Sequence, residues 1–145
     1  RSSWMWIPPA TEREEKMSEI GKLVTGLQHI GLPTNDMDAT VKFYRSLGFE
    51  IAHETVNNGE RVCFLRLGSV CVESYENGQA AGKAGAIDHI CLDVTDVDAA
   101  WEAVRAAGYQ PLESEIQALP FWDKGVRFFN ILGPNGEKVE FGQIL

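Results

Sequence analysis

Several signals that assign a function at a glance are missing from this sequence. No apolar run approaches the roughly 20 residues a membrane-spanning helix needs. There is no glycine-rich nucleotide loop and no serine or cysteine nucleophile motif. Basic residues are scarce: 13 Lys and Arg stand against 21 Asp and Glu, a formal net charge of -8. That balance argues against nucleic acid and against an anionic membrane surface, both of which want a basic face. Cysteine is limited to three residues, Cys63, Cys71 and Cys91. The count is odd, the spacing matches no zinc ribbon, and each lies in an apolar, strand-like run. They read as small buried hydrophobes in a reducing compartment, with the cytoplasm as the expected location. A signal-peptide pattern is also lacking, because "RSSWMWIPPATEREEK" carries one Arg, a very short apolar patch, then Pro-Pro and charges. Met17 reads as a natural start and residues 1–16 as an upstream leftover. Residues 1–24 are expected to form an N-terminal extension, partly disordered, whose Trp4 and Trp6 pack at most on the surface.

What is present is a repeat. Of the 145 residues, 25–145 are expected to form one domain with its own core. Shifted by 60 residues, "LQHIGLPTNDMDATVKFYRSLGFE" aligns with "IDHICLDVTDVDAAWEAVRAAGYQ". Identities fall at His29/His89, Ile30/Ile90, Leu32/Leu92, Asp36/Asp96, Asp38/Asp98, Ala39/Ala99, Arg45/Arg105 and Gly48/Gly108. Average residue usage would yield about one or two. The chain divides into module 1 (26–76), a small-residue linker (77–85) and module 2 (86–145).

Each module predicts the same elements. Residues 27–33 and 87–94 alternate like strands. Asp36 and Asp96 then open helices as caps. Met37, Thr40, Val41 and Tyr44 recur at helical spacing, as do Val97, Ala100, Trp101 and Val104. Gly48 and Gly108 end the helices in the left-handed conformation that glycine tolerates. Strands follow at 49–55, 60–67 and 69–75 in the first half, and at 109–115, 126–132 and 137–143 in the second, with "NNG", Gly68 and "GPNG" as turns. The fold class is α+β, two tandem βαβββ modules. "IQALPFWDKG", residues 116–125, lacks alternation and reads as a lid-like loop.

Four polar residues stand on faces that should be apolar. Each module opens with a histidine, His29 or His89, and each fourth strand carries a glutamate after a valine, Glu73 or Glu140. Alternation sends the valines to the helix side and all four polar groups to the opposite, concave side. A buried carboxylate without a partner is costly. Two imidazoles and two carboxylates converging on one divalent ion, such as Ni²⁺, Zn²⁺, Fe²⁺, Co²⁺ or Mn²⁺, remove that cost. Without a metal the same residues make two Glu–His salt bridges. His53 has no histidine counterpart in module 2 and reads as solvent-facing.

On "LQHIGLPTNDMDATVKFYRSLGFE", "VCVESYENG", "IDHICLDVTDVDAAWEAVRAAGY" and "LGPNGEKVEFGQIL", the sequence resembles the vicinal oxygen chelate superfamily of glyoxalase I, bleomycin-resistance proteins and extradiol dioxygenases, over about residues 26–145. The resemblance implies paired modules forming a U-shaped cup around a divalent metal, with His29, Glu73, His89 and Glu140 as its ligands. It implies a homodimer acting on a small molecule by proton transfer through an enediolate, with Glu140 and Glu73 moving the proton. Asn77 matches an Asn of bacterial glyoxalases. The Arg of those enzymes that contacts the glutathione carboxylate is replaced by Pro33. The closest implied activity is lactoylglutathione lyase-like, on a hemithioacetal-type substrate. A methylmalonyl-CoA epimerase-like enzyme is the alternative, since "DHICLDV" resembles those enzymes too, and a non-catalytic antibiotic-resistance-type binding protein is another. Phe121 and Trp122 are expected over the substrate, with Lys124 or Arg127 near a substrate anion.

Overall fold

The computed structural model describes residues 6–7 and 19–145. Expectations for residues 1–5 and 8–18, Trp4 among them, lie outside the described residues, and Trp6 is exposed. The elements run β1 (Ile30–Thr34), α1 (Met37–Ser46), β2 (Glu50–Asn57), β3 (Glu60–Leu67), β4 (Val70–Glu76), β5 (His89–Asp93), α2 (Val97–Ala106), β6 (Gln117–Leu119), β7 (Val126–Leu132) and β8 (Lys138–Ile144). They form two four-stranded sheets, ordered β1-β4-β3-β2 and β5-β8-β7-β6. In each, the first strand runs parallel to the fourth and the remaining pairs are antiparallel. This is the βαβββ pattern, twice. Among the described residues, no helix is long and apolar enough to cross a membrane.

The caps are those the repeat predicts. Asp36 and Asp96 accept from the N–H of Ala39 and Ala99, each at 3.0 Å. A second cap arrives from the fourth strand of each sheet: Glu76 accepts from Met37 N–H at 2.6 Å, and Gln143 from Val97 N–H at 2.9 Å. Each stands three residues beyond a candidate glutamate. The fourth strand therefore carries one polar group to the concave face and another to the helix start. Gly48 and Gly108 hold φ of 101° and 94°, where a side chain would be strained.

One buried cluster joins the modules. Met37, Phe43 and Tyr44 from α1, Val97 and Val104 from α2, and Phe129, Ile131, Val139 and Phe141 from the second sheet share it. Phe129 and Phe141 stack at 5.1 Å, and Trp101 meets Phe129 edge-on at 5.2 Å. The β7–β8 turn plugs into the corner between β1 and α1. Asn135 Oδ1 accepts from Thr34 Oγ1 at 3.1 Å, Asn135 Nδ2 donates to Thr40 Oγ1 at 3.0 Å, and the Tyr44 hydroxyl donates to Glu137 at 3.1 Å. At Gly136, an added Cβ would lie 2.2 Å from Gly82 O, so only glycine lets the turn meet the linker.

Two expectations are corrected. Residues 27–29 precede β1, so His29 sits at the mouth of its strand, whereas His89 is the first residue of β5. Residues 109–115 are not a strand, and the short β6 lies inside the stretch expected to be loop. Proline has no N–H to give a ladder, and Pro111 is buried in that stretch. In place of a neighbouring strand, Glu113 accepts from Asn130 N–H at 2.8 Å, and Leu112 N–H donates to Asn130 O at 2.8 Å. Pro33 is accommodated because β1 is an edge strand.

Candidate metal centre

Parallel pairing explains how each histidine meets its glutamate. Gly31 pairs with Glu73 and Cys91 with Glu140. The histidines stand two residues earlier, on the same face of the chain. His29 Nε2 lies 3.0 Å from Glu73 Oε2, and His89 Nε2 lies 3.6 Å from Glu140 Oε2. All four side chains are partly exposed, between 18% and 40%.

The other ring nitrogen is held in the same way in both halves. His89 Nδ1 lies 2.8 Å from Asp88 Oδ2, and His29 Nδ1 lies 3.0 Å from Gln28 Oε1. A carboxylate only accepts, so His89 Nδ1 carries a proton, and the Gln28 amide oxygen plays the same part for His29. A neutral ring fixed this way presents the Nε2 lone pair to a carboxylate, acceptor facing acceptor. A proton or a metal ion between them makes the contact favourable. An oxygen acceptor on Nδ1, with Nε2 free, is the arrangement metal-ligating histidines commonly show. The donor set fits a divalent transition ion. Gln28 and Asp88 were missed in the sequence, although they too are repeat partners 60 residues apart.

Among the described residues no group of three or more His, Cys, Asp or Glu side chains comes together as one metal site. One chain holds two His–Glu pairs, not a single four-ligand cluster. A cavity of about 550 Å³ opens over the second pair, lined by second-module residues. Its floor carries His89, Cys91, Asn130 and Glu140, and its rim carries Phe121 and Trp122. Cys91 is exposed here rather than buried as expected, because it shares the concave face with Glu140. Partial burial, with Glu140 alongside, pushes its thiol up to about 12. Gly142 makes room: an added Cβ would come within 2.9 Å of Cys91 Sγ. In the first half Phe64 stands opposite Glu73, with the rings of His29 and His53 at 5.8 and 6.0 Å.

Three expected substrate residues lie away from this cavity. Arg127 alternates to the helix side, where it clasps Asp98 at 2.7 and 2.9 Å; that clasp holds the Asp98 carboxyl below its usual range. Lys124 borders a separate hollow with Pro120 and Leu145. Asn77 shapes the turn into the linker, accepting from Gln79 N–H at 3.0 Å.

Comparison with known proteins agrees with this architecture. A family model described as "Glyoxalase/Bleomycin resistance protein/Dioxygenase superfamily" matches residues 26–141. An ethylmalonyl-CoA/methylmalonyl-CoA epimerase of Cereibacter sphaeroides is 29% identical over 134 residues, covering 84% of this chain and 100% of that protein. The crystal structure of a glyoxalase family protein from Enterococcus faecalis superposes with a TM-score of 0.70 at 20% identity, covering 83% of this chain and 98% of that one. A lactoylglutathione lyase from Agrobacterium tumefaciens does so with a TM-score of 0.62 at 22% identity, covering 83% and 94%.

Proposed function

The chain belongs to the Glyoxalase/Bleomycin resistance protein/Dioxygenase superfamily, and on that premise we propose that it catalyses metal-assisted proton transfer at a carbon beside a carbonyl, as a glyoxalase-like lyase or isomerase acting on a small α-oxo substrate of hemithioacetal type. The observation that carries this reading is the duplicated pair, His29–Glu73 and His89–Glu140, each histidine fixed through Nδ1 by the residue before it. His29, Glu73, His89 and Glu140 would hold one divalent ion. When bound, such an ion polarises the substrate carbonyl and offsets the negative charge that develops as the proton leaves.

The chain's own residues supply the rest. Glu140, at the cavity floor, takes the proton and gives it back, with Glu73 in the matching place in the other half. Asp88 and Gln28 keep the imidazoles in register. The rim aromatics cover the substrate. Two pairs that stay separate in one chain are completed by a second copy, the first module of one chain closing over the second module of another.

Return of the proton to the neighbouring carbon gives the glyoxalase outcome, and return to the same carbon on its other face gives the epimerase outcome. The 29% identity to an epimerase supports the second version as the alternative. Metal-loaded protein in deuterated water, offered methylglyoxal with several thiols and then methylmalonyl-CoA, tests both. Exchange of the α-proton with one of these is expected, falling about 10²–10⁴-fold in Glu140→Gln. Loaded protein that exchanges none of them contradicts the reading, and one that holds such molecules unchanged is a binding protein.

A further inference from the structure

We propose that the cavity over the second sheet takes an uncharged, ring-bearing molecule that seats its ring on the Phe121–Trp122 loop and donates a hydroxyl to Asn130 Oδ1. The inference rests on the proton-transfer reading only for the reacting carbon lying beside Glu140.

Asn130 is the first observation. It is 6% exposed and stands opposite Glu140 in the β7–β8 ladder. Its Nδ2 donates to Glu113 Oε1 at 2.7 Å, and because a carboxylate cannot donate, the orientation of the amide is fixed. That leaves Oδ1 buried, with no partner among the described residues. A buried acceptor without a donor is costly, and a ligand hydroxyl in the cavity removes the cost. The same position in the first half is Phe64, so the acceptor is a feature of the second cavity and not of the repeat.

The loop is the second. Phe121 and Trp122 are 56% and 71% exposed on the cavity rim. Trp122 also adopts φ of 63°, a left-handed conformation side chains rarely take. A tryptophan held out, in a strained backbone, is placed to meet a ring. Leu119, Val126, Phe128 and Ile144 continue the apolar wall. The volume, about 550 Å³, suits a small organic molecule.

Charge is the third. Asp88, Asp93 and Glu140 line the cavity, and its one cation besides His89, Lys138, is bound to Asp88 at 3.1 Å. Arg127 and Lys124 face elsewhere. Among the described residues lining the cavity, no unpaired Lys or Arg is left for a carboxylate or phosphate away from the metal ligands, so the ring-bearing end that enters is uncharged.

Calorimetric titration of the metal-stripped protein tests this without chelation, using 2-hydroxyacetophenone, its methyl ether 2-methoxyacetophenone, and the ringless hydroxyacetone. The hydroxyl probe should bind on the order of tenfold more tightly than either comparator. Trp122→Ala should remove the preference over hydroxyacetone, and Asn130→Ala the preference over the ether. If Asn130→Ala fails to fold, the ether comparison in the unaltered protein decides that point. Equal binding of hydroxyl and ether, equal binding of ring and ringless probes, or no binding of the hydroxyl probe overturns the proposal. Exchange of the probe's α-protons by metal-loaded protein is read separately: its absence counts against the proton-transfer reading and leaves the pocket standing.

Discussion

Tyr44 shows how one side chain ties the halves together. It is fully buried, packs edge-on against Phe43 and Phe49, and donates its hydroxyl across the module boundary to Glu137. Burial, with the Glu137 carboxylate beside it, raises its pKa far above the usual tyrosine value. Tyr44→Phe keeps the ring and removes the bond, and should cost about 1–3 kcal/mol in urea unfolding. The sign with pH follows from the raised value. The unfolded phenol ionises near 10 and the folded one only well above it. The contribution is whole below pH 10 and is lost as pH rises past it, so the stability advantage of wild type over Tyr44→Phe should shrink as pH rises above 10. The four candidate ligands were legible at this scale because the repeat doubles them. Asn130 was not, since its importance depends on Glu113 reaching across from a segment that reads as strand. Arg127 was misplaced although β7 was bounded correctly: it alternates with Phe128 and Asn130, which puts it on the helix side, where it clasps Asp98.

Among the elements, the fourth strand of each sheet has the densest duties. β8 aligns Glu140 with Cys91, packs Val139 and Phe141 into the core, and sends Gln143 to cap α2. Gly142 lets these coexist. Gly142→Ala would set a Cβ 2.9 Å from Cys91 Sγ and 3.9 Å from Glu140 Oε1. It should disturb this pair and cost about 1–3 kcal/mol as an overpacking change, with weaker metal uptake by titration. Full metal affinity in that variant would show that Glu140 does not depend on this spacing. Most elements could be read from periodicity, caps and turn glycines. β6 and the bends before it could not, because residues 109–115 have a strand's composition while Leu112 N–H and the Glu113 carboxylate both bond to the backbone of Asn130 instead.

At the scale of the molecule, the modules share a single core on their helix sides, and the β7–β8 turn locks one to the other through Asn135. The two His–Glu pairs stay apart in one chain. The sequence shows the repeat and cannot show which copies of it pair. That is set by how two whole modules pack, and no local pattern encodes it. A second chain is therefore central to the account, and metal content reads it directly. Elemental analysis of dialysed, metal-loaded protein should find one divalent ion per chain, lost in His29→Ala and in His89→Ala. When those two variants are mixed and their subunits exchanged, each mixed dimer regains one intact set of four ligands, so about a quarter of the wild-type content should return. Wild-type protein that takes up no ion contradicts the metal centre itself, and variants that bind none before or after mixing contradict a site shared between chains.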